Sequence, residues 1–317
     1  MSNIRVEDFY DQDDRMLLEY CTLCPRGCRV NRFKGASGYC GMDAGLNISS
    51  ICIHNGEEPV IGGEKGICNI FFAGCNMHCI YCQNHEISRP GKVCRNERNG
   101  FEQVLDRIEE ILSSGIEALG FVSPSHLVPQ AKAIIRGVHD RGIRPTIIYN
   151  TNSYDKVGTL RSIGDLIDVY IPDYKYVTAD LAKKYSDTYD YPVVALQALK
   201  EIYFQKGSSL RTDDNGRAEN GMLIRHLVLP GHTEESRKVL HSIADELSTG
   251  VHLSLMSQYH PTELVRNDKI LNRALYRSEY EFVVETMYEL GFRNGYIQEM
   301  DSNENYRPDF SKGNPFE

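Results

Sequence analysis

From residue 67 onward the chain alternates short apolar runs with longer segments of helical period, and this alternation constrains the fold more than any other feature. Six of the runs are apolar nearly throughout, as strands covered on both faces should be. They span residues 67–73, 118–122, 146–150, 166–171, 222–229 and 251–256. Repeated units of strand and crossover helix predict an α/β fold with a parallel sheet, and six units predict a partial (β/α)6 barrel.

Between the predicted strands lie segments in which apolar residues recur with a 3.6-residue period, so each presents one apolar stripe to the sheet. These predicted helices span residues 101–114, 127–141, 234–247 and 277–290, with two more in succession over 178–205. The run Asp-Asp-Asn-Gly at 213–216 predicts a tight turn, as in a hairpin inserted before the fifth predicted strand.

The first 66 residues differ from the rest because they are rich in Gly and Cys and weakly periodic. A region so short of core material needs another source of stability, and a bound metal is a common one. We therefore predict a small four-cysteine metal-binding module over 1–66, the barrel over 67–300, and a polar C-terminal tail over 301–317.

The composition of the 317 residues, with 41% hydrophobic and 25% charged, is typical of a soluble globular chain. Acidic residues outnumber basic ones by 44 to 35, and no basic block offers a footprint for phosphates, so we expect no nucleic-acid partner. No apolar stretch approaches the ~18 residues of a membrane span, and the acidic start does not resemble a signal peptide. We therefore expect a cytoplasmic protein without a membrane partner.

All ten cysteines fall in the first third of the chain, at 21, 24, 28, 40, 52, 68, 75, 79, 82 and 94. A chain of this size in a reducing compartment does not need disulfides, so clustered thiols indicate metal. Cys75, Cys79 and Cys82 are spaced C-x3-C-x2-C directly after the first predicted strand, where a parallel barrel carries its active-site loops. Three thiolates could hold three irons of a [4Fe-4S] cluster and leave the fourth iron open to a small ligand. A zinc site completed by His78 or His85 is the alternative.

The pattern C-x3-C-x-aromatic-C, with Tyr81 as the aromatic residue, resembles the signature of the radical S-adenosylmethionine (SAM) superfamily. Within it the chain most resembles the uncharacterised relatives of the pyruvate formate-lyase activating enzyme. The likeness runs from about Cys21 to Glu299 through CTLCPRGCRVNR, GYCG, FFAGCNMHCIYCQN, SPSHLVPQ, YNTNSY, IPDYKY, IRHLVLPG and LMSQYHP. It implies that SAM chelates the open iron through its amino and carboxylate groups. An electron from the reduced cluster would then cleave SAM to methionine and a 5′-deoxyadenosyl radical, which abstracts hydrogen from a substrate.

The resemblance also implies contacts to the two ends of SAM near the cysteines. Tyr81 and Gln83, which flank the third cysteine, would touch the adenine. Most of the superfamily has a Gly-Gly-Glu-like stretch after the second strand, whereas this chain has Ser-Pro-Ser-His at 123–126, so hydroxyls such as that of Ser125 or backbone carbonyls must substitute. The literal Gly-Gly-Glu at 62–64 precedes the cysteine loop and is interpreted as a turn.

Four further SAM contacts are expected at the ends of later predicted strands. Asp173 and Lys175 match an Asp-x-Lys that lies along bound SAM in the family. Arg225 would pair the methionyl carboxylate through its two-pronged donor face, and His260 would contact the ribose.

A second group of cysteines, Cys21, Cys24, Cys28 and Cys40, has the spacing C-x2-C-x3-C-x11-C and favours a metal site over free thiols. A structural zinc and an auxiliary [4Fe-4S] cluster use the same ligands. We favour the cluster narrowly, because the neighbouring chemistry needs electrons. The other cysteines fit no ligand spacing, and these are Cys52, Cys68 and Cys94, of which Cys68 is predicted to lie in the core.

The resemblance implies a radical SAM oxidoreductase, and we expect a protein or peptide substrate, because an open six-unit barrel would leave a lateral gap for a polypeptide loop. A glycyl-radical enzyme is one such substrate, which would make the chain an activase of anaerobic metabolism. The four-cysteine module stands in place of the insertion that many activases carry, which weakens this interpretation. A flavodoxin- or ferredoxin-like protein would donate the electron. Radical modification of a small molecule or another peptide, or a non-catalytic iron-sulfur electron carrier, is the alternative.

Overall fold

The computed structural model describes residues 5–35, 38–90, 100–300 and 308–316. Within these residues nine strands form one sheet in the order β1-β2-β3-β4-β5-β7-β8-β9, with β6 paired to β7 off this path. The strands are β1 (Ile48–His54), β2 (Ile67–Phe72), β3 (Ala118–Val122), β4 (Thr146–Thr151), β5 (Val169–Pro172), β6 (Arg211–Thr212), β7 (Ala218–Leu227), β8 (His252–Met256) and β9 (Gly295–Ile297).

The helices lie mainly between successive strands. They are α1 (Gln12–Glu19), α2 (Pro59–Gly62), α3 (His85–Ser88), α4 (Phe101–Ser113), α5 (Val128–Asp140), α6 (Val157–Arg161), α7 (Ala179–Ser186), α8 (Tyr191–Lys206), α9 (Thr233–Glu246) and α10 (Arg277–Glu289). Short 3-10 turns occupy Val6–Phe9, Arg32–Lys34, Pro124–His126, Gly164–Leu166 and Glu263–Val265.

The six predicted strands correspond to β2, β3, β4, β5, β7 and β8, and each pairs in parallel with the next. Every residue of β2 is buried, because helices cover its outer face and the barrel interior covers the other. The short β9 adds in parallel to β8, and β1 adds antiparallel to β2, so these two strands are the edges of the sheet. The predicted α/β partial barrel is therefore confirmed, as an open sheet.

Two predicted strands begin at other residues than expected, and one edge strand was missed. The fourth predicted strand begins at Val169, not at 166, because Gly164–Leu166 forms a 3-10 turn. The fifth begins earlier, at Ala218, because its first residues pair with β6 across the predicted turn at 213–216. The edge strand β1 was not predicted, since six of its seven residues are only partly buried and its apolar pattern is weak.

The described residues before 67 pack against the barrel. Leu18, Leu23 and Met42 are buried in the same apolar cluster as Ile70 and Phe72 of β2. The division of the chain at residue 66 stays a prediction, although β1 lies before this boundary and pairs with β2 after it.

The C-terminal tail has described residues only over 308–316; residues 301–307 and 317 lie outside them. The rings of Phe310 and Phe316 lie 5.5 and 5.6 Å from that of Phe71 on β2, and Phe316 also lies 4.1 Å from the ring of His54. The tail is therefore packed beside β1 and β2.

No helix of the described segments combines the length and the apolar character that a membrane crossing requires.

Candidate functional site

The cysteine loop, residues 73–84, leaves β2 at the carboxyl end of the parallel strands. Gly74 makes the exit possible, because its φ of +72° is a conformation that other residues rarely adopt. Its N–H donates to the carbonyl of Ile87 at 2.8 Å, which ties the start of the loop to the helical turn α3. The sequence-predicted position of the three cysteines, directly after the first barrel strand, is thus observed.

Each thiol of the cysteine loop accepts hydrogen bonds. Cys75 Sγ accepts from the N–H of Met77 at 3.4 Å and from the amide of Asn152 at 3.5 Å. Cys79 Sγ accepts from the hydroxyl of Ser186 at 3.0 Å. Such donors are the usual surrounding of metal-bound thiolates.

The third thiol of the loop, Cys82, accepts from the backbone N–H of Asn84 and the hydroxyl of Ser88. Burial raises the pKa of Cys82, and the neighbouring thiolate of Cys79 raises it further. Burial likewise raises the pKa of Cys75, followed by the charges of Cys79 and Cys82. The three thiols therefore share one electrostatic environment.

Lys175, just beyond β5, supplies the positive charge of this environment. Its ammonium lies 2.5 Å from the carboxylate of Asp173 and lowers the pKa of both Cys75 and Cys82. Burial disfavours the charged ammonium, but Asp173 and Cys79 outweigh that effect, so the pKa of Lys175 is raised. Lys175 is therefore held as a cation beside the three thiols.

The predicted adenine contacts are placed beside the third cysteine. Tyr81 is buried, and its hydroxyl accepts from that of Tyr176 at 2.5 Å. The amide of Gln83 donates to the carbonyl of Gln258 at 2.8 Å. Ser125 is buried with its hydroxyl 3.1 Å from that of Thr151. Their roles toward SAM stay predictions.

Arg225 has partners that the sequence did not indicate. Its Nε donates to Glu58 at 2.9 Å, and its Nη2 contacts the carboxylates of both Glu57 and Glu58. Burial would raise the pKa of Glu57, but Arg225 and His54 outweigh it and the pKa is lowered. The guanidinium is thus already paired, so the predicted contact of Arg225 with a SAM carboxylate would add to existing ion pairs. The sequence carries no direct signal of this pairing, and only the general need of a buried arginine for a carboxylate could have suggested it.

A cavity of about 370 Å³ opens beside the cysteine loop, within the range of small-molecule sites. Its lining includes the last residues of β3, β8 and β9 and, among other side chains, Glu57, Glu58, Gln83, Arg225, Gln258 and Phe316. His260, in the loop after β8, is half-buried, and its predicted ribose contact stays a prediction.

The Gly-Gly-Glu at 62–64 lies elsewhere, at the end of α2. These residues line a separate opening of about 1220 Å³ together with Ala118 and Thr146, the first residues of β3 and β4. They are therefore at the amino ends of the strands, opposite the cysteine loop.

The N-terminal cysteines, Cys21, Cys24, Cys28 and Cys40, lie beside the cysteine loop. Three of them are buried, and Cys28 is partly buried. A Cβ added to Gly74 would meet the carbonyl oxygen of Cys40 at 2.4 Å, so the backbones of the two regions are in direct contact.

Arg26, between the second and third N-terminal cysteines, also joins the two regions. Its Nε donates to the carbonyl of Asn76 at 2.9 Å, and its Nη2 donates to that of Asp187 at 2.8 Å. Its guanidinium lies 3.6 Å from the ring centre of Tyr39, which in turn stacks on His78 at 4.0 Å.

The remaining cysteines are not part of either group. Cys68 is fully buried in β2, as its predicted core position requires, and Cys52 is buried in β1. Cys94 lies outside the described residues. Among the described residues, no three Cys, His, Asp or Glu side chains are placed to hold a single metal ion.

Residues 61–187 match a family model described as a 4Fe-4S single cluster domain, and this span contains the whole cysteine loop. The chain is 24% identical over 277 residues to an uncharacterized protein, MJ0674, of Methanocaldococcus jannaschii, covering 85% of this chain and 74% of that protein.

Two solved structures resemble the fold in part. SuiB of Streptococcus suis, in complex with its precursor peptide SuiA, gives a TM-score of 0.46 at 11% identity over 75% of this chain. This chain covers 50%, or half, of the SuiB chain. A spore photoproduct lyase mutant gives a TM-score of 0.46 at 11% identity, covering 72% of this chain and 74% of the lyase.

Proposed function

We propose that this chain is a radical SAM enzyme, in which a [4Fe-4S] cluster held by Cys75, Cys79 and Cys82 binds SAM. The observation that carries the proposal is the placement of three hydrogen-bonded thiols at the carboxyl mouth of the barrel, beside a cavity. A metal site that lacks one protein ligand keeps a coordination position for a small molecule, and the cavity beside the loop, which Gln83 and Asn84 line, offers space for one. The match of this region to a 4Fe-4S domain supports the choice of metal.

The side chains fit the cluster because the three possible ligands are thiols, and each already accepts a hydrogen bond from an N–H or O–H group. When bound, the cluster and SAM supply reductive cleavage of SAM to methionine and a 5′-deoxyadenosyl radical. Lys175 would offset the negative charge of the thiolates, because its ammonium faces them while paired to Asp173. The cavity walls would keep water away from the reacting groups.

We propose a protein or peptide as the substrate, with a glycyl-radical enzyme as one candidate, and a flavodoxin- or ferredoxin-like protein as the electron donor. The open sheet between β1 and β9 supports a polypeptide substrate, since a closed barrel would leave no lateral approach to the cavity.

The test is anaerobic reconstitution with iron and sulfide, followed by reductant and SAM, with 5′-deoxyadenosine as the product measured. Wild-type protein should form 5′-deoxyadenosine, and the variant Cys75→Ala/Cys79→Ala/Cys82→Ala should form none above background. Cys68→Ala is the matched control, because Cys68 is a buried cysteine of the preceding strand, and it should retain the activity.

If wild-type protein loaded with iron neither binds nor cleaves SAM, the proposal fails. The non-catalytic electron carrier would then be the better interpretation of the loop. To test the substrate class, candidate peptides and glycyl-radical enzymes would be deuterated. Transfer of deuterium from the candidate into 5′-deoxyadenosine would then be measured.

A further inference from the structure

Arg32 is a buried cation whose described partners are not carboxylates. Only 2% of the surface of Arg32 is exposed to solvent. Nη1 donates to the carbonyl of His126 at 2.8 Å, Nη2 donates to Cys40 Sγ at 3.3 Å, and Nε has no partner within the described chain. A permanently charged guanidinium in such a place needs negative charge nearby, because a buried, uncompensated charge is costly.

The groups able to provide that charge are the N-terminal cysteines. Arg32 donates to Cys21 as well as to Cys40, so it contacts the first and last of the four thiols. Neutral thiols are weak acceptors and carry no charge, whereas metal-bound thiolates are anionic. The pairing of Arg32 with these sulfurs therefore points to a thiolate-ligated metal centre.

The other thiols of the group accept backbone donors. Tyr39 N–H donates to Cys28 Sγ at 3.3 Å. The backbone N–H groups of Arg26 and Met42 donate to Cys24 and Cys40 respectively. All four sulfurs therefore have a hydrogen-bond donor, which is the usual surrounding of metal-bound thiolates.

The neighbouring region favours a cluster over a single zinc ion. Four thiols can ligate either kind of metal centre, so the ligand set alone does not separate them. The cysteine loop, whose backbone contacts that of Cys40, lies within the match to a 4Fe-4S domain. The same chain is therefore expected to receive iron and sulfide, which favours a second cluster at the four N-terminal thiols.

We propose that Cys21, Cys24, Cys28 and Cys40 hold a second [4Fe-4S] cluster, fully ligated by protein, whose negative charge is balanced by buried Arg32. With four protein ligands the cluster has no position for SAM. The inference goes beyond the proposed function and does not depend on it, since it concerns cysteines outside the cysteine loop.

The first test uses the full chain carrying Cys75→Ala/Cys79→Ala/Cys82→Ala, which retains the N-terminal cysteines. After anaerobic reconstitution we expect about four irons and four sulfides per chain. The reduced protein should give an electron paramagnetic resonance spectrum that added SAM does not alter. One zinc per chain without iron, or no bound metal, would overturn the proposal. Because this variant cannot cleave SAM by our mechanism, its metal content and the activity of wild-type protein report on separate proposals.

The second test changes Arg32 in the same background. Arg32→Gln should lower the iron content, or lower the midpoint potential of the remaining cluster, because the reduced, more negative state loses its counter-charge. Arg32→Lys should restore part of either effect. Arg29→Gln, at an exposed arginine of the same segment, should change neither.

Unchanged iron content and potential in Arg32→Gln would contradict the charge-balance role. If the Arg32 variants fail to fold, as judged by circular dichroism, the metal count of the first test still decides whether the second cluster exists.

Discussion

The two cysteine regions share a local structure but differ in what surrounds them. In both, a cysteine sulfur accepts the backbone N–H two residues later. The pairs are Cys24 with Arg26 and Cys40 with Met42 in the N-terminal group, and Cys75 with Met77 and Cys82 with Asn84 in the cysteine loop. The cysteine loop has three thiols and opens beside a cavity, whereas the N-terminal group has four thiols and a buried arginine. The shared turn therefore does not distinguish the two regions, whereas the number of thiols and their neighbours do.

The positively charged side chains beside the two cysteine regions also differ. Lys175 faces the cysteine loop but is already paired with Asp173, so its charge is partly neutralised. Arg32 contacts two thiols and a carbonyl and therefore has its charge available for the sulfurs. Since direct backbone contact joins the two regions, the comparison can be tested by changing the contacts between them and the charges within each.

The largest effect is expected from Gly74→Ala. The added Cβ would lie 2.4 Å from the Cys40 carbonyl at a residue whose φ is +72°, so both regions would have to move. We expect a loss of about 3–5 kcal/mol in the free energy of unfolding and less iron at both regions, measured by denaturant unfolding and iron analysis. The matched control is Gly142→Ala, where φ is +80° and no atom lies within 4 Å of the new Cβ. It should cost about 1–2 kcal/mol, and equal costs would show that the contact is unimportant.

Arg26→Gln should have the next largest effect, because it removes two charged hydrogen bonds across the boundary and the stacking on Tyr39. The expected loss is about 2 kcal/mol of unfolding free energy, together with slower formation of 5′-deoxyadenosine. Thermal unfolding of protein with equal iron content measures the first effect. If Arg26→Gln and the exposed-site variant Arg29→Gln unfold at the same temperature, the two regions are not coupled through this side chain.

Lys175→Met removes a positive charge beside the cysteine loop and leaves the charges around the N-terminal cysteines unchanged. Removing a cation beside the thiols disfavours the reduced, more negative cluster, so the midpoint potential of the cysteine-loop cluster should fall. A shift on the order of 60 mV corresponds to about 1.4 kcal/mol for a one-electron couple. A redox titration followed by electron paramagnetic resonance would measure it, and the signal of the N-terminal cluster should not move. Lys238→Met, at an exposed lysine of α9, is the control and should leave both potentials in place.

The smallest effect is expected from Tyr39→Phe, which removes the hydroxyl donated to Asp187 at 2.9 Å but keeps the ring on His78. We expect a loss of about 0.5–1 kcal/mol without loss of iron. The hydrogen bonds from Lys183 and then Tyr39 lower the pKa of Asp187 in the folded chain. Its stabilisation is therefore present near neutral pH and is lost as the pH falls through that lowered pKa. The difference between wild type and variant should narrow in acid, and a difference that grows in acid would contradict this account.

Much of the fold could be predicted because periodicity is a local property. The six apolar runs and the amphipathic segments between them gave the parallel sheet, and the predicted succession of helices over 178–205 corresponds to α7 and α8. The edges were less predictable. The strand β9 has only three residues, and β1 lies in a region without clear alternation, so both depend on pairing with a neighbour already in place.

The candidate site could likewise be predicted only in part. The cysteine loop could be located because its three thiols are close in sequence and follow a strand. The pairing of Arg225 with Glu57 and Glu58 could not be predicted, because these residues are 168 and 167 positions apart in sequence and meet only through the barrel. Arg32 was likewise missed, since nothing in its own segment marks it as buried.

The C-terminal tail has a practical consequence for anyone who alters this protein. Pro308 and Phe316 form part of the cavity wall, and the N–H of Phe310 donates to Glu86, four residues after the last cysteine of the loop. Removing these residues to aid crystallisation would therefore enlarge the cavity and break the hydrogen bond to Glu86. A shortened protein with altered ligand preference would report on the trimming as much as on the barrel.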